Sequence, residues 1–513
     1  MLNQTYAPLL EAVLACASQN NVPFYVPGHK KGQGIPQELI EKWGISVFKS
    51  DLTELPELDN LFAPESAIQA AQELASEAFG AERTWFLING TTCGIIAAII
   101  ATCHPGEKII LPRNVHKSAI SGLILSGAIP IFINPEYDPV LDVVHSITPE
   151  SVAIALQQHP DAKAVLMVYP TYYGVCGDVE TIAKIIHQYN IPLLVDEAHG
   201  AHFNFHPQLP ISALAANADL TVQSTHKVLG AMTQASMLHV RGNRIDRDRI
   251  CQALALVQST SPSYILLASL DAARRQIALH GNQLISESLR LADLARTQIN
   301  QISGLSVLQL QKVELTSLPT PLLAGEGSHS PPFPRREGGL GGLGHFDLDL
   351  TRLTVTVANL GLTGDEADDI LHQKLGITAE LTSLKNITFV ITWGNAEKDI
   401  ERLVQAFKTL ANHYRRSEIS QPFTRETLLP SISSPSISPR DAFFAPTEIV
   451  PIDLAVNRLC AELVCPYPPG IPVLMPGEVV CESAIAYLKL VLDLGVAIVG
   501  CSDPTLQKIK VLK

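Results

Sequence analysis

The tetrapeptide Ser224-Thr225-His226-Lys227 places an amine beside hydroxyl and imidazole groups. It follows the apolar segment 220–222 and precedes Gly230, so we expect the lysine at the end of a strand. A lysine in such a position can form an imine with an aldehyde cofactor. A solvent-exposed lysine is the simpler alternative, and the tetrapeptide by itself favours it. Other residues of the chain must therefore decide between an imine-forming lysine and a solvent-exposed one.

Polar residues of the same kind follow four other apolar segments. They are Asn89-Gly90-Thr91-Thr92, Arg113-Asn114-Val115-His116-Lys117, Pro170-Thr171-Tyr172 and Asp196-Glu197-Ala198-His199. Between about residues 70 and 240, short apolar runs alternate with helical patterns, which is typical of a parallel sheet with crossover helices. The predicted strands are 84–88, 108–111, 129–133, 164–169, 191–195 and 220–223. Because ligands bind outside the carboxyl ends of parallel strands, we expect these segments to surround one ligand.

Gly90, Thr91 and Thr92 stand where a phosphate group could bind. The apolar run 95–100 that follows them predicts a helix, and a helix amino terminus offers free backbone N–H groups and the positive end of a dipole. The two threonine hydroxyls would add hydrogen-bond donors. An ordinary helix cap without any ligand explains the same residues, since threonine is a common capping residue.

Asp196 ends a predicted buried strand, where burial would raise the pKa of its carboxyl group unless a cation faces it. A protonated pyridine nitrogen would be such a cation, and its ring would then accept electrons. A magnesium-binding Asp-Glu pair is the alternative, but the chain has no Walker lysine motif. A metal site with His199, His202 and His206 is disfavoured because their spacing fits no common zinc signature. We therefore predict no metal.

Two His-Lys pairs compete for the role of the imine-forming lysine. Lys227 comes one strand-helix-strand unit after Asp196, and we predict that it is the reacting residue. Lys117 is expected on a helix that begins after Arg113, where His116 could stack its flat ring on a cofactor. A surface histidine at the end of a helix is the alternative for His116.

The charge and the cysteine pattern narrow the class of protein. With 50 acidic and 37 basic residues, the 513-residue chain has a formal net charge of −13, which argues against nucleic acid and anionic membranes as partners. A cationic substrate is compatible with this charge. Nine irregularly spaced cysteines suggest free thiols in a reducing compartment. The chain lacks an apolar stretch of roughly 18 residues, and its first residues lack the basic charge of a signal peptide, so we expect a cytoplasmic protein.

Changes in composition divide the chain into five predicted parts. They are an N-terminal helix and active-site segment (1–70), a major domain with bridging helices (71–303), a small α/β domain (304–415), a linker (416–440) and a C-terminal subdomain (441–513). Residues 316–344 are rich in proline, glycine and serine, and they are predicted to be a disordered insertion in the small domain.

Together these motifs resemble the Orn/Lys/Arg decarboxylase family. The matching segments are Pro27-Gly28-His29-Lys30, Asn89-Gly90-Thr91-Thr92, Asn114-Val115-His116-Lys117-Ser118, Asp196-Glu197-Ala198-His199-Gly200-Ala201-His202, Ser224-Thr225-His226-Lys227 and Pro466-Tyr467-Pro468-Pro469-Gly470-Ile471-Pro472. The resemblance implies fold type I of the pyridoxal-phosphate enzymes, in the short form without a wing domain. It thus implies an α/β large domain with a mostly parallel seven-stranded sheet, a small α/β domain and a C-terminal subdomain. It also implies a homodimer whose active sites lie at the subunit interface.

The resemblance also assigns roles to single residues. Lys227 would hold pyridoxal 5'-phosphate as an imine, Asp196 would pair with its pyridine nitrogen and His116 would stack on its ring, and these are the predicted catalytic residues. The residues predicted to bind the cofactor are Gly90, Thr91, Thr92, His116, Asp196, His199, Ser224, His226 and Lys227. Among them the two threonines, Ser224 and His226 would hold the phosphate. Glu478 is predicted to bind the cationic end of the substrate.

The implied reaction is the decarboxylation of a basic amino acid to the corresponding amine and carbon dioxide, as part of polyamine metabolism. An aminotransferase or lyase of the same fold is one alternative, and a non-catalytic regulatory homologue is another. Arginine, lysine and ornithine differ only in the length and head group of the side chain, so the sequence leaves the choice among them open.

Overall fold

Seven strands form a central sheet in the protein, for which a computed structural model describes residues 2–309, 347–415, 435–467, 470–493 and 495–513. In chain order they are β1 (Arg83–Leu87), β2 (Lys108–Pro112), β3 (Ile129–Ile133), β4 (Ala164–Val168), β5 (Leu193–Asp196), β6 (Leu220–Gln223) and β7 (Ser236–Val240). Their spatial order is β1-β7-β6-β5-β4-β2-β3. The predicted seven-stranded α/β sheet is confirmed.

The strand directions bring the polar segments to one edge of this sheet. From β3 through β2, β4 and β5 to β6, all neighbouring strands run parallel. β7 runs antiparallel to both of its neighbours, β6 and β1. Two antiparallel pairings restore the direction, so β1 ends at the same edge as β4, β5 and β6. The mostly parallel arrangement that the sequence predicts is therefore confirmed.

Two details of the sheet differ from the sequence prediction. The predicted strands do not include β7, because it follows β6 after a short connection that has no room for a crossover helix. The alternation of strands and helices therefore does not reveal it. β5 begins at Leu193, later than the predicted segment 191–195, because Pro192 lacks the N–H group that a central strand needs.

Helices cover both faces of the sheet. Up to residue 257 the α-helices are Pro8–Ser18, Gln37–Trp43, Ile45–Ser50, Ala67–Phe79, Gly90–Thr102, Lys117–Ser126, Pro149–Gln158, Val179–Gln188, Thr225–Val228 and Arg247–Val257, with a 3₁₀ turn at Phe203–Phe205. The helix Gly90–Thr102 lies close to the sheet at Gly94. A Cβ atom there would come within 2.4 Å of Val222 Cγ1 and 2.7 Å of Leu87 Cδ1. This close contact fixes the start of the helix beside the ends of β1 and β6.

The long helix Tyr264–Asn300 connects the large sheet to a smaller α/β unit. The sheet of this unit contains, in spatial order, Ser306–Val307, Arg352–Thr356, Asn386–Val390 and Leu381–Thr382, and its helices are Gly364–Leu375 and Glu397–His413, with a 3₁₀ turn at Ala358–Leu360. Two further antiparallel pairs are Tyr137–Asp138 with Val143–Val144 and Val175–Cys176 with Asp347–Leu348. The second of these pairs joins the two units. The insertion predicted at 316–344 lies outside the described residues.

The C-terminal part contains two small antiparallel sheets. They pair Thr447–Pro451 with Lys508–Leu512 and Cys465–Tyr467 with Ala497–Val499, beside the helices Pro439–Phe444 and Glu482–Asp493 and a 3₁₀ turn at Ile452–Leu454. Residues 416–434 of the predicted linker lie outside the described residues, and the five domain borders stay a prediction. All nine cysteines are free thiols, as predicted. Within the described ranges, no helix combines the length and the apolar character needed to cross a membrane.

Candidate active site

Lys227 lies at the carboxyl edge of the sheet, in the short helix Thr225–Val228 directly after β6. Its Nζ atom is 2.9 Å from Nε2 of His199. Asp196 ends the neighbouring strand β5. Burial lowers the pKa of Lys227, and the carboxylate of Asp196 opposes this shift. The structure thus brings Lys227, Asp196 and His199 together, as the parallel sheet predicts.

Asp196 is a buried carboxylate, only 8% exposed. Within the described part of the chain, the hydrogen bond that it accepts comes from the backbone N–H of Ala198, at 3.2 Å. Burial raises the pKa of its carboxyl group, and the charge of Lys227 opposes that shift. A single backbone hydrogen bond compensates a buried carboxylate poorly, so the site favours a further cation or N–H donor.

Three hydroxyl groups meet where β1, β6 and β7 come together. The Oγ atoms of Thr91 and Ser224 are 2.6 Å apart, and Thr91 also donates to Ser236 Oγ at 3.3 Å. They lie at the amino terminus of the helix Gly90–Thr102, which has no side-chain cap, and Thr92 is exposed at the same helix start. Buried hydroxyls and free helix N–H groups can bind a phosphate. Ser236 is not among the predicted site residues, because β7 is not among the predicted strands.

His226 and Thr225 add polar atoms to this edge. Nδ1 of His226 donates a hydrogen bond to the carbonyl of Ala235 at 3.0 Å, which leaves Nε2 as the second polar atom of the ring. Burial lowers the pKa of His226. The hydroxyl of Thr225 is buried and has no hydrogen-bond partner among the described residues. A buried hydroxyl in this state is unfavourable unless a ligand provides the partner.

His116 caps the helix Lys117–Ser126, where its Nδ1 accepts a hydrogen bond from the N–H of Ser118 at 3.2 Å. Burial lowers the pKa of His116 to about 4, and the charge of Lys227 is the second cause, so the ring lies near the side chain of Lys227. Gly470 lies against the same ring, since a Cβ atom there would be 3.8 Å from Cδ2 of His116. The proline-rich C-terminal segment therefore reaches this edge of the sheet.

Arg352 is a buried guanidinium that the sequence analysis misses. It is only 2% exposed, and its Nη2 atom is 2.7 Å from Nδ1 of His199. Gly174 makes room for it, with φ of +87°, because a Cβ atom there would be 2.9 Å from Cβ and Cγ of Arg352. Nε and Nη1 of Arg352 have no hydrogen-bond partner within the described residues. An arginine at the start of the apolar strand Arg352–Thr356 was the available signal.

The carboxylate of Glu478 forms a hydrogen-bonded ion pair with Arg113, which follows β2. Its carboxylate oxygens accept hydrogen bonds from Arg113 Nη2 at 3.1 and 3.3 Å and from the N–H of Met475 at 3.0 Å. Arg113 also donates to the carbonyls of Pro472, at 2.6 Å, and Val473, at 3.0 Å. These bonds fasten the C-terminal part to the large domain. The substrate-binding role of Glu478 stays a prediction.

A cavity of about 350 Å³ lies in the small α/β unit, and Glu380 is one of its lining residues. The negative charge of Glu380 also acts on Lys227, His226 and Arg352. Glu380 is not among the predicted site residues, because an isolated glutamate in a sequence is most often a solvated surface residue. Among the described residues, His, Cys, Asp and Glu side chains form no cluster of three that could hold a metal ion.

Two full-length relatives are named arginine decarboxylase. The one from Bacillus subtilis (strain 168) is 41% identical over 512 residues and covers 100% of this chain and 99% of its own length. The one from Halalkalibacterium halodurans is 40% identical over 513 residues, with the same coverage. The similarity therefore extends over the large sheet, the small unit and the C-terminal part.

The fold is similar to the crystal structure of the lysine decarboxylase LdcF from Francisella novicida. The TM-score is 0.82 at 21% identity, over 99% of this chain and 81% of that chain. At this identity the likeness concerns the fold, and it confirms the predicted fold type I architecture.

Two family models together match most of the chain. The model described as Orn/Lys/Arg decarboxylase, major domain, matches residues 7–399, and the model of the C-terminal domain matches residues 424–501. The two matches include each of the motifs that carried the resemblance. The chain therefore belongs to the Orn/Lys/Arg decarboxylase family, whose members are pyridoxal-phosphate-dependent enzymes that decarboxylate basic amino acids.

Proposed function

We propose that the protein decarboxylates arginine to agmatine and carbon dioxide. The choice of arginine is supported by the two full-length relatives at 40% and 41% identity, both arginine decarboxylases. The observation that carries the reaction class is the half-buried amine of Lys227, whose pKa burial lowers, within the electrostatic reach of the buried carboxylate of Asp196. Lysine and ornithine are the alternative substrates.

The polar groups at the sheet edge fit pyridoxal phosphate. The buried carboxylate of Asp196 suits a protonated ring nitrogen, and the unpartnered hydroxyl of Thr225 suits an acceptor oxygen. The phosphate would be held at the helix start, where three hydroxyls meet. The residues that we assign to the cofactor are Gly90, Thr91, Thr92, His116, Asp196, His199, Ser224, His226 and Lys227. We add Ser236 and Thr225, because the hydroxyl of Ser236 lies beside that of Thr91 and the buried hydroxyl of Thr225 has no partner among the described residues.

Bound pyridoxal phosphate supplies an electron-accepting ring that stabilises the negative charge left on the α carbon when carbon dioxide leaves. Asp196 would favour a proton on the ring nitrogen, because a buried carboxylate stabilises a nearby positive charge. Lys227 would be the residue that holds the aldehyde group of the cofactor, because a lysine amine can form an imine with an aldehyde. His116 would contact the ring of the cofactor and help to orient it. Asp196 is buried and Lys227 and His116 are half-buried, which limits the access of water to this edge of the sheet.

Glu478 stays the predicted partner of the cationic end of the substrate, and we propose Glu380 as a second candidate for that role. The charge of Glu380 acts on Lys227 and His226, whereas the carboxylate of Glu478 is bonded to Arg113. Loss of the charge in Glu380→Gln is expected to raise the KM for arginine roughly tenfold, which corresponds to about 1.4 kcal/mol. The exposed Glu401, changed to glutamine, is the matched control. An unchanged KM in Glu380→Gln would leave that role to Glu478.

Borohydride reduction tests the assignment of the lysine. The native protein should give a reduced cofactor adduct on the peptide that contains Lys227, and Lys227→Ala should give none. Lys117→Ala is the control, because Lys117 lies on the neighbouring helix and should leave the adduct unchanged. An adduct that persists in Lys227→Ala would mean that another lysine reacts.

Carbon dioxide release, measured separately with arginine, lysine and ornithine and without a keto acid, tests the substrate and the reaction class. We expect the highest kcat/KM with arginine. A higher value with lysine or ornithine would overturn the substrate. Dependence on an added keto acid would indicate an aminotransferase, and a protein that binds the cofactor but acts on none of the three would be a regulatory homologue.

We also propose a cytoplasmic homodimer with shared active sites. Phe24 is 92% exposed and Val26 is 65% exposed in the segment after the opening helix, which supports a partner surface there. Sedimentation of the purified protein tests this assembly, and a monomer at micromolar concentration would contradict it.

The five-part domain division is likewise proposed, and limited proteolysis within residues 416–434 would test its linker.

A further inference from the structure

His199 lies between two nitrogen groups that both approach its ring. Nη2 of Arg352 is 2.7 Å from Nδ1, and Nζ of Lys227 is 2.9 Å from Nε2. A guanidinium group can only donate hydrogen bonds, so Nδ1 must accept. A neutral imidazole carries one N–H, which must then be on Nε2. That N–H points to Nζ, and the hydrogen bond forms only if Lys227 offers the lone pair of an unprotonated amine.

The surroundings keep the ring of His199 neutral. Burial lowers its pKa well below the ordinary value, and the charge of Arg352 acts in the same direction whether or not Lys227 is protonated. The charged groups that act on Lys227 or His199 are Asp196, His116, His226, Arg352 and Glu380. The titratable ring of Tyr172 also lies against His199, with the two ring centroids 5.1 Å apart. The two carboxylates favour a protonated lysine, whereas burial and Arg352 oppose it.

Arg352 is itself fixed in place by the small α/β unit and the loop facing it. Its Nε atom is 3.8 Å from Oδ2 of Asp349, which is fully buried. Gly174 leaves no space for a side chain between its own backbone and the arginine stem. The guanidinium therefore presents a defined N–H group to His199.

We propose that Arg352 is a positioning residue for Lys227: by donating to Nδ1 of His199 it fixes the ring tautomer whose Nε2–H holds the free lysine as an unprotonated amine. The proposal rests on the proposed role of Lys227 as the cofactor-binding lysine. Its consequence is that the amine is ready to react without a separate base, since the lone pair on Nζ is the nucleophilic form.

The cofactor-free protein allows a direct test. Acetylation of Lys227 by acetic anhydride, followed across pH by peptide mass spectrometry, reports the protonation of its amine. In the native protein the midpoint of the pH profile of Lys227 acetylation should lie well below the ordinary lysine pKa of about 10.4. Arg352→Met should move it upwards by about one pH unit or more, because the cation is lost and Nδ1 of His199 becomes free to carry the proton. Arg352→Lys keeps a charge and an N–H donor, and should move it less.

A double-mutant comparison separates the hydrogen-bonded chain from the mere charge of Arg352. In a His199→Phe background the chain is broken, so Arg352→Met should shift the midpoint by clearly less than it does with His199 present. Equal shifts in both backgrounds, or no shift in either, would overturn the proposal. If Arg352→Met does not fold, the pair Asp349→Asn with Arg352→Met removes both buried charges and is compared in the same two backgrounds. Borohydride trapping at Lys227 is independent of this outcome, so the proposed function and this inference can fail separately.

Discussion

Replacing Glu478 by glutamine is expected to loosen the C-terminal part from the large domain. The side chains of Glu478 and Arg113 are 3% and 10% exposed, and breaking one partner of such a buried pair costs about 3–5 kcal/mol. We expect about 3 kcal/mol, the lower end of that range. Glutamine can still accept the hydrogen bond from Met475, and Arg113 keeps its bonds to the carbonyls of Pro472 and Val473.

Hydrogen exchange of residues 470–480, measured by mass spectrometry, reports this loss locally. A change of about 3 kcal/mol reduces protection roughly 100-fold, since about 1.4 kcal/mol is a factor of ten. Replacing both partners, Arg113→Met with Glu478→Leu, should restore protection to within roughly tenfold of the native value, because no buried charge is left unpaired. Native protection in Glu478→Gln, together with a KM for arginine raised tenfold or more, would refute this reasoning and assign Glu478 to substrate binding.

Three further predictions concern the cofactor site and its supports. Thr91→Val should raise the Kd for pyridoxal phosphate roughly tenfold or more in equilibrium dialysis, because a hydrogen bond to a charged acceptor is worth about 1.5–3 kcal/mol. Thr221→Val, whose hydroxyl has no partner among the described residues, should leave this Kd unchanged. The pKa of His116 is about 4 in the folded protein and about 6.5 in the unfolded chain, so the unfolded chain binds more protons between these values. The free energy of unfolding of the cofactor-free protein should therefore fall by up to about 3 kcal/mol as the pH drops from about 6.5 to 4. Identical pH profiles for the native protein and His116→Phe would contradict this. Gly174→Ala should destabilise the cofactor-free protein by about 1–3 kcal/mol, because the position has φ of +87° and a Cβ atom would press on Arg352. A native unfolding midpoint would count against it.

The sequence by itself determined the sheet and most of the groups at its edge. Short apolar runs between helical patterns predict parallel strands. The carboxyl ends of parallel strands lie at one edge of the sheet, so the residues that follow each strand are expected to lie together. The contact of Thr91 with Ser224 and that of Lys227 with His199 realise this prediction, although each joins residues far apart in the chain. The motifs were local, so they could be read without knowledge of the packing.

Only the tertiary structure decided which side chains from other elements contact the groups at this edge of the sheet. β7 is antiparallel and follows a short connection, so the alternation of strands and helices in the sequence does not predict this strand or the position of Ser236. The bonds of Arg352 to His199 and of Arg113 to Glu478 join elements that meet only when the small unit and the C-terminal part pack on the large sheet. Residue type and spacing cannot specify such contacts, because they depend on where whole elements lie and not on the order of neighbouring residues.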